Sequence, residues 1–352
     1  MRAFAVVEGS TSIVDIEVPT PVPEGSQVLL RVIHSGVCHT DTHLRQGYYD
    51  LGSRGELRLV DRGISYPLVM GHEVVGVVEQ VGPDVTTSSP GQTRLVYPWI
   101  GCGECRQCEN GQDNHCAAGR NLGVAAHGGY ADHILVPDEK YLIDIEGLDP
   151  AWAATLACSG LTAYSAVNKV LPLLPEEPVA VVGAGGVGLT AVATLRALGH
   201  EAICAVDLSE ENLRVAGRIG ASEIVRSDGG DFSGRLVEAC GEPVAAVIDF
   251  VNNSGTAAAS YSALRKAGKL VQVGLFGGEL TMATVLNALK MLTVQGSFVG
   301  SPDELRQLVS LAKQDLIPTI PIIREPLTAE SVAASLDRLS RGGVAGRIVL
   351  QA

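Results

Sequence analysis

The sequence contains few aromatic residues and no dense cluster of basic ones. Phe, Trp and Tyr make up 4% of the 352 residues, whereas hydrophobic residues make up 46%. Small apolar side chains therefore fill the core, which favours closely packed α/β layers over an aromatic-rich β-sandwich. The formal net charge is −13. Without a basic stripe to displace counterions, the chain is not expected to bind nucleic acid or an anionic membrane surface.

Targeting and membrane signals are also missing. The first residues, MRAFAVVEGS, lack a basic stretch followed by a long apolar run, so no signal peptide is predicted. The longest apolar run, residues 179–195, contains four glycines within six residues and indicates a strand–turn–helix unit rather than a membrane span. The eight cysteines then indicate metal or thiol chemistry in a cytoplasmic protein rather than a disulfide framework.

Two parts of the chain differ in periodicity. Residues 1–149 consist of short strand-like pieces and turns, which predict a β-rich, partly barrel-like unit. From residue 150, continuous apolar strands alternate with helices, as expected of an α/β fold with a parallel sheet covered on both faces. One core rarely grows beyond roughly 250–300 residues, so two domains are expected. The predicted elements of the second part are helices at 150–170, 187–198, 211–219, 302–313 and 329–341 and strands at 179–182, 202–206, 223–225, 245–250, 270–273 and 347–350.

The segment GAGGVG follows the strand VAVV and begins a helix, which is the context that dinucleotide binding requires of G-x-G-x-x-G. Its first glycine permits the tight turn, its second lets a pyrophosphate approach the backbone, and its third allows close packing of helix on strand. Asp207 closes the next strand, nineteen residues after Gly188, where a carboxylate binds ribose hydroxyls and repels a 2′-phosphate. NAD is therefore predicted over NADP, the alternative being a glycine-rich turn beside a surface aspartate. The predicted cofactor contacts here are Gly183, Gly185, Gly186, Val187, Gly188 and Asp207.

Four cysteines lie close together on a glycine-rich loop: Cys102, Cys105, Cys108 and Cys116. Four thiolates at this spacing complete a tetrahedral shell around zinc and leave no position for water, so a structural zinc is predicted. An iron–sulfur cluster is the competing interpretation.

A second, dispersed group consists of Cys38, His72 and Cys158. Three nitrogen and sulfur ligands leave a fourth position open, which is what a catalytic zinc requires. Taken singly these are weak candidates, because a lone buried cysteine is more often a small core residue.

Taken together, these motifs resemble the zinc-dependent medium-chain alcohol dehydrogenase family. The resemblance covers essentially the whole chain, and the matching segments are GVCHTDTH, GHEVVGVV, GCGECRQCENGQDNHC, LACSGLTAY and VVGAGGVG. It implies a GroES-like catalytic domain, residues 1–149 and 297–352, and a Rossmann domain, residues 150–296, with the active site in the cleft between them. It also implies hydride transfer between a primary or secondary alcohol and NAD, two zinc ions per chain, and a homo-oligomer, dimer or tetramer.

The resemblance further implies roles around the catalytic metal. Cys38, His72 and Cys158 would bind the zinc. Glu73 would lie near it, and Asp41 would orient the ring of His72, as metal-bound imidazoles usually require.

Other matching positions imply a proton path and cofactor contacts. Thr40 would hold the substrate hydroxyl, and His43 would end a relay that passes the proton through the nicotinamide ribose to solvent. His39 and Arg347 match positions that contact the cofactor pyrophosphate in the family.

The substrate region is predicted to include the segment between Gly47 and Pro67. Tyr48, Tyr49 and Trp99 would line a mostly apolar channel. The three arginines of the segment are interpreted as solvated charges, the alternative being that one of them meets an anionic substrate group. The pieces GYYDLG, DRG and PWIGCGEC are similar to bacterial 6-hydroxyhexanoate dehydrogenases, which implies a medium-length primary or ω-hydroxy alcohol.

Two other functions remain open at this point. A polyol or threonine dehydrogenase of the same superfamily is one, although polyol enzymes usually place a carboxylate where Cys158 stands. A non-catalytic nucleotide-binding scaffold is the other, and such relatives lack the catalytic zinc ligands. A zinc content of two per chain would favour the alcohol dehydrogenase.

Overall fold

The computed structural model describes residues 1–352, which form eighteen β-strands, eleven α-helices and several shorter helical turns. The strands are β1 (Arg2–Val6), β2 (Ile13–Glu17), β3 (Val28–Gly36), β4 (Tyr48–Asp50), β5 (Glu56–Arg58), β6 (Leu68–Val69), β7 (Glu73–Val81), β8 (Thr93–Val96), β9 (His133–Val136), β10 (Leu142–Asp144), β11 (Val179–Val182), β12 (Ile203–Asp207), β13 (Glu223–Arg226), β14 (Val244–Asp249), β15 (Leu264–Gln272), β16 (Thr293–Gly296), β17 (Ile322–Pro326) and β18 (Arg347–Gln351). The helices are α1 (His39–Gln46), α2 (Arg106–Glu109), α3 (Pro150–Thr155), α4 (Leu161–Val170), α5 (Gly186–Ala197), α6 (Glu210–Ile219), α7 (Ser233–Cys240), α8 (Ser254–Ala263), α9 (Thr284–Lys290), α10 (Pro302–Lys313) and α11 (Ala329–Arg341).

Six strands form an all-parallel sheet in the order β13-β12-β11-β14-β15-β16. Every residue of β11 and β14 is buried, as expected of apolar strands covered by helices on both faces. Val179 and Val181 pack with α4 and α5, whereas Ala180 and Val182 pack with α7 and α8. The α/β fold class is thus confirmed. The strand order reverses between β11 and β14, where a doubly wound sheet places its ligand crevice.

A second sheet joins the two ends of the chain. Its seven strands run β10-β8-β7-β3-β18-β17, with β9 paired to the first half of β3. The β3–β7 pairing shifts register twice, and such bulges bend and twist a strand, which gives this unit its curvature. The last strand, β18, pairs antiparallel with the end of β3 and parallel with β17.

The boundaries of α10 follow directly from the sequence Ser301-Pro302-Asp303-Glu304. The Ser301 side chain accepts from the Glu304 amide and the Glu304 carboxylate accepts from the Ser301 amide, while proline occupies the first turn, where its missing N–H is not needed. The predicted helices at 302–313 and 329–341 and the strand at 179–182 have these bounds in the structure.

The predicted helix at 150–170 is not regular. A π-helical turn, Leu156–Gly160, separates α3 from α4, and all its residues are buried. The side chains of α3 belong to the same core as the curved sheet, whereas much of α4 packs on the parallel sheet. The domain limits at 149/150 and 296/297 therefore remain predictions. None of the helices combines the length and apolar character needed to cross a bilayer.

Candidate active site

The three residues of the dispersed group come together in the fold. Cys38 is the N-cap of α1, His72 precedes β7, and Cys158 lies in the π-helical turn. All three are buried, and their ligand atoms lie within 4.8 Å of one another, with 4.0 Å between the two sulfur atoms. A hydrogen bond from the Cys158 thiol lowers the pKa of Cys38 well below its usual value, and His72 adds to this effect against the opposing influence of burial.

Asp41 connects the helix cap to the histidine. Its Oδ2 accepts hydrogen bonds from the Cys38 amide at 3.0 Å and the Tyr130 hydroxyl at 2.9 Å. Its Oδ1 lies 3.2 Å from His72 Nδ1. The carboxylate is fully buried and holds the imidazole on its Nδ1 side, which leaves Nε2 as the nitrogen available to a metal.

These residues fit a zinc ion. His72 Nε2 is buried and has no hydrogen-bond partner within the protein, which is unfavourable for a polar atom unless a ligand satisfies it. In a tetrahedral zinc site with Zn–S bonds of about 2.3 Å, two sulfur atoms lie about 3.8 Å apart. The sulfur–sulfur distance of 4.0 Å is close to that value.

Glu73 and Arg347 form a buried ion pair beside this group. The second carboxylate oxygen of Glu73 accepts from the Ser159 amide at 3.0 Å, inside the π-helical turn. Arg347 also packs against the start of α5, where a Cβ on Gly186 would lie 2.3 Å from its Cδ. The pair thus ties β7, the cysteine turn and β18 together. The predicted contact of Arg347 with a pyrophosphate and the predicted approach of Glu73 to the metal stay predictions.

The four clustered cysteines converge on one point at the surface. The ligand atoms of Cys102, Cys105, Cys108 and Cys116 all lie within 4.8 Å of one another. Three of the sulfur–sulfur distances are 3.5, 3.8 and 3.9 Å. This spacing fits a single zinc ion, since the several metal atoms of an iron–sulfur cluster would hold the thiolates further apart. Gly101 is required here because a Cβ would lie 2.4 Å from Cys108 Sγ.

The glycine-rich turn has the geometry that its sequence predicts. Gly183 has φ +87, a conformation that favours glycine. A Cβ at Gly188 would lie 1.8 Å from the Gly183 carbonyl oxygen, so only glycine allows α5 to begin this close to β11. At Gly185 nothing lies within 4 Å of the Cβ position. That open space at the N-terminus of α5 fits a pyrophosphate.

Asp207 ends β12 beside this turn. Its Oδ2 accepts from the Ala184 amide at 2.6 Å, and its Oδ1 accepts from the Ser209 amide at 2.7 Å. The carboxylate is partly exposed and anchored to the turn, which fits the predicted contact with ribose hydroxyls.

An inner cavity of about 110 Å³ lies between the two sites. The predicted residues that line it are Cys38, His39, Thr40, His43, Trp99, Cys158 and Val187. Thr40 Oγ1 lies 3.8 Å from Cys38 Sγ. Burial lowers the pKa values of His39 and His43, which favours their neutral imidazoles. His43 also lines a neighbouring cavity of about 320 Å³, which Tyr48 and Glu56 border.

Tyr48 and Tyr49 do not line the inner cavity, and this corrects the predicted substrate channel. Both belong to β4, which leaves the end of α1 and pairs with β5 in a hairpin, so they border neighbouring cavities instead. Tyr49 remains in contact with the His43 ring, with 4.9 Å between the centroids. Of the predicted channel residues, Trp99 alone lines the inner cavity. The loop arginines Arg54, Arg58 and Arg62 are exposed, as expected of solvated charges.

Several site residues were not found from the sequence. Tyr130 shares the Asp41 carboxylate with Cys38 and His72, and Gly71 allows its close packing, because a Cβ there would lie 2.5 Å from Tyr130 Cδ1. Thr162, Phe276 and Phe298 line the inner cavity. They come from three separate segments, and no local motif marks them.

A cavity flanked by a buried, three-ligand metal site and a dinucleotide turn belongs to a metal-dependent dehydrogenase of the doubly wound class. Comparison with known proteins agrees. Residues 24–147 match the family described as the alcohol dehydrogenase GroES-like domain, and residues 186–314 match the zinc-binding dehydrogenase family.

Relatives match over the full length. The chain is 36% identical over 353 residues to an NAD-dependent alcohol dehydrogenase of Sulfurisphaera tokodaii, covering 99% of both chains. It is 37% identical over 355 residues to one of Saccharolobus solfataricus, again with 99% of both chains covered. The crystal structure of the Aeropyrum pernix alcohol dehydrogenase superimposes with a TM-score of 0.91 at 31% identity, covering 100% of both chains. This chain belongs to the zinc-dependent medium-chain alcohol dehydrogenase family.

Proposed function

We propose that the metal group and the glycine-rich turn act on one alcohol substrate from two sides of the inner cavity. The chain is an NAD-dependent zinc alcohol dehydrogenase that interconverts a primary or secondary alcohol and its aldehyde or ketone. The observation that supports this site is that Cys38, Cys158 and Val187 line one cavity.

The chemistry divides between the cofactors and the protein. Zinc held by Cys38, His72 and Cys158 supplies a Lewis acid that lowers the pKa of an alcohol oxygen, and bound NAD supplies the hydride acceptor. Thr40 lies beside the metal ligands, where its hydroxyl orients the alcohol and takes its proton. His43 lines both the inner cavity and the neighbouring cavity bordered by Tyr48 and Glu56, so its imidazole passes that proton to solvent.

The function is tested by metal analysis together with a rate survey. We expect two zinc ions per chain and NAD reduction with alcohols of graded length. NAD reduction with polyols but not with simple alcohols would favour the polyol-type alternative. Nucleotide binding without turnover on any alcohol would favour the scaffold.

His43 gives the activity a pH dependence. Burial lowers its pKa below 6.5, so the imidazole is neutral above that pH and able to accept a proton. As the pH falls through the lowered pKa, the imidazole becomes charged and kcat/KM for alcohol oxidation decreases. In His43→Gln we expect about a tenfold or greater loss of kcat/KM at pH 7 and the disappearance of this acidic limb. An unchanged limb would assign the titration to another group.

Asp207 is proposed to select NAD. Removing its charge in Asp207→Gly relieves repulsion of a 2′-phosphate and removes the ribose acceptor, so the NADP-to-NAD ratio of kcat/KM should rise about tenfold or more. The ratio is the relevant quantity because loss of the Ala184 contact weakens both cofactors. Asp15→Gly, at an exposed position of β2, is the matched control. An unchanged ratio would contradict the role of Asp207.

We also propose a homo-oligomer and a cytoplasmic location. The segment around α9 exposes a row of large apolar side chains, which we propose form the interface between subunits. They are Met282, Val285, Leu286, Leu289 and Met291. Sedimentation analysis tests this: wild type should be larger than a monomer, and Leu289→Lys should be a monomer. All eight cysteines are unpaired, as expected in a reducing compartment.

A further inference from the structure

A second, larger cavity adjoins the inner cavity. It has a volume of about 730 Å³ and sixteen lining residues, of which three are hydrophobic. We call it the outer cavity. The two cavities adjoin, since they share five lining residues: Val273, Gly274, Leu275, Ser297 and Phe298. The space next to the inner cavity is therefore a polar one.

Lys169 is the only lysine or arginine in the wall of the outer cavity. It lies in the last turn of α4 and is partly buried, and burial lowers its pKa. Its ammonium donates to Ser165 Oγ at 2.7 Å and to the Ser165 carbonyl oxygen at 3.3 Å, both neutral acceptors. Lys169 takes part in none of the twelve ion pairs of the chain, so no carboxylate lies within ion-pair distance of its ammonium.

The other titratable groups of this wall are Glu304 and His115. Glu304 raises the pKa of Lys169 slightly against burial, but its carboxylate already accepts from the Ser301 amide at 2.9 Å in the cap of α10. Lys169 thus has no ion-pair partner and has donor capacity left over, since an ammonium has three donors.

The helix fixes the distance between this charge and the metal group. Cys158, Thr162, Ser165 and Lys169 lie along one continuous helical segment, and the first two line the inner cavity. Ser165 is seven residues beyond Cys158, about 10 Å along the axis at about 1.5 Å per residue. The ammonium lies at the level of Ser165 because it is bonded to that residue.

We infer that the outer cavity is a subsite for the anionic end of a substrate and that Lys169 binds a terminal carboxylate there. The favoured substrates are medium-length ω-hydroxycarboxylates, with the hydroxyl end in the inner cavity and the carboxylate beside Lys169. The inference rests on the alcohol dehydrogenase activity proposed above. It assigns the recognition of the anion to α4 and not to the exposed arginines of residues 48–66.

The experiment compares 6-hydroxyhexanoate, 1-hexanol and 6-amino-1-hexanol as substrates of wild type, Lys169→Met and Lys169→Gln. We expect wild type to prefer the hydroxycarboxylate. In both variants the ratio of kcat/KM for 6-hydroxyhexanoate over 1-hexanol should fall at least about tenfold, because a charge-assisted hydrogen bond is lost. The loss should appear mainly as a higher KM for 6-hydroxyhexanoate. The kcat/KM for 6-amino-1-hexanol should rise relative to that for 1-hexanol. Lys266→Met, at an exposed position of β15, controls for net charge and should leave the ratio unchanged.

The possible outcomes separate the two proposals. If 1-hexanol is oxidised but the ratio is the same in wild type and in both Lys169 variants, the subsite is wrong and the dehydrogenase stands. If Arg54→Met, Arg58→Met or Arg62→Met lowers the ratio and the Lys169 variants do not, the anion binds at the loop instead. If wild type oxidises no alcohol, the proposed function itself fails.

Discussion

Replacing Cys38 by alanine is expected to lower kcat/KM for alcohol oxidation by about 10³-fold or more. The substitution removes one of three protein ligands from a metal whose charge stabilisation contributes several kcal/mol, and each 1.4 kcal/mol, roughly, corresponds to a factor of ten. Binding of NAD should remain near normal, because its predicted phosphate and ribose contacts lie in the turn between β11 and α5 and at Asp207. Zinc content should fall from two ions per chain to one.

The control for this variant is Cys240→Ala. Cys240 is a half-buried thiol at the end of α7 and belongs to neither metal group. It should keep both zinc ions and wild-type turnover. Full activity in Cys38→Ala would remove Cys38 from the catalytic site, whereas equal loss of NAD binding would mean that the variant is misfolded.

The second large effect is expected from Glu73→Ala. The carboxylate of Glu73 is fully buried and the guanidinium of Arg347 is 3% exposed, so the substitution leaves a buried positive charge without a partner. Such a loss costs about 3–5 kcal/mol in the free energy of unfolding, which chemical denaturation measures. The Ser159 amide also loses its acceptor in the turn that carries Cys158. Affinity for zinc should therefore decrease together with stability.

Two further variants test whether the loss of stability comes from the buried charge left without a partner or would follow from the loss of any ion pair. Glu210→Ala removes an exposed ion pair with Arg226 and should change the free energy of unfolding by no more than about 1 kcal/mol. Glu73→Ala combined with Arg347→Met should be more stable than Glu73→Ala alone, since no charge is then stranded. If the double variant is no better than the single one, the ion pair is not the source of the effect.

The sequence is most informative where a short segment determines its own geometry. The glycine-rich turn is an example, because the positive φ of Gly183 and the close approach at Gly188 each exclude a side chain. The caps of α10 are another, since Ser301 and Glu304 bond to each other's backbone. In such segments the residue pattern and the structure describe the same local interactions.

Long-range contacts could not be predicted in this way. The convergence of Cys38, His72 and Cys158 depends on three elements packing together, so their ligand chemistry alone makes them weak candidates and the family resemblance is needed to support the group. The sequence predicts a regular helix at the π-helical turn around Cys158, because its apolar residues are compatible with both geometries. The position of Tyr49 is not predictable from the sequence either, because the sequence does not show where the β4–β5 hairpin turns.

The position of Arg347 at the start of the last strand has a consequence for biosynthesis. Glu73 and Arg347 are 274 residues apart in the sequence. The ribosome therefore synthesises Glu73 long before its ion-pair partner Arg347. Until β18 has been made, the nascent N-terminal unit has a solitary carboxylate in its interior and an open edge on β3. Its native packing must therefore wait until β18 has been synthesised.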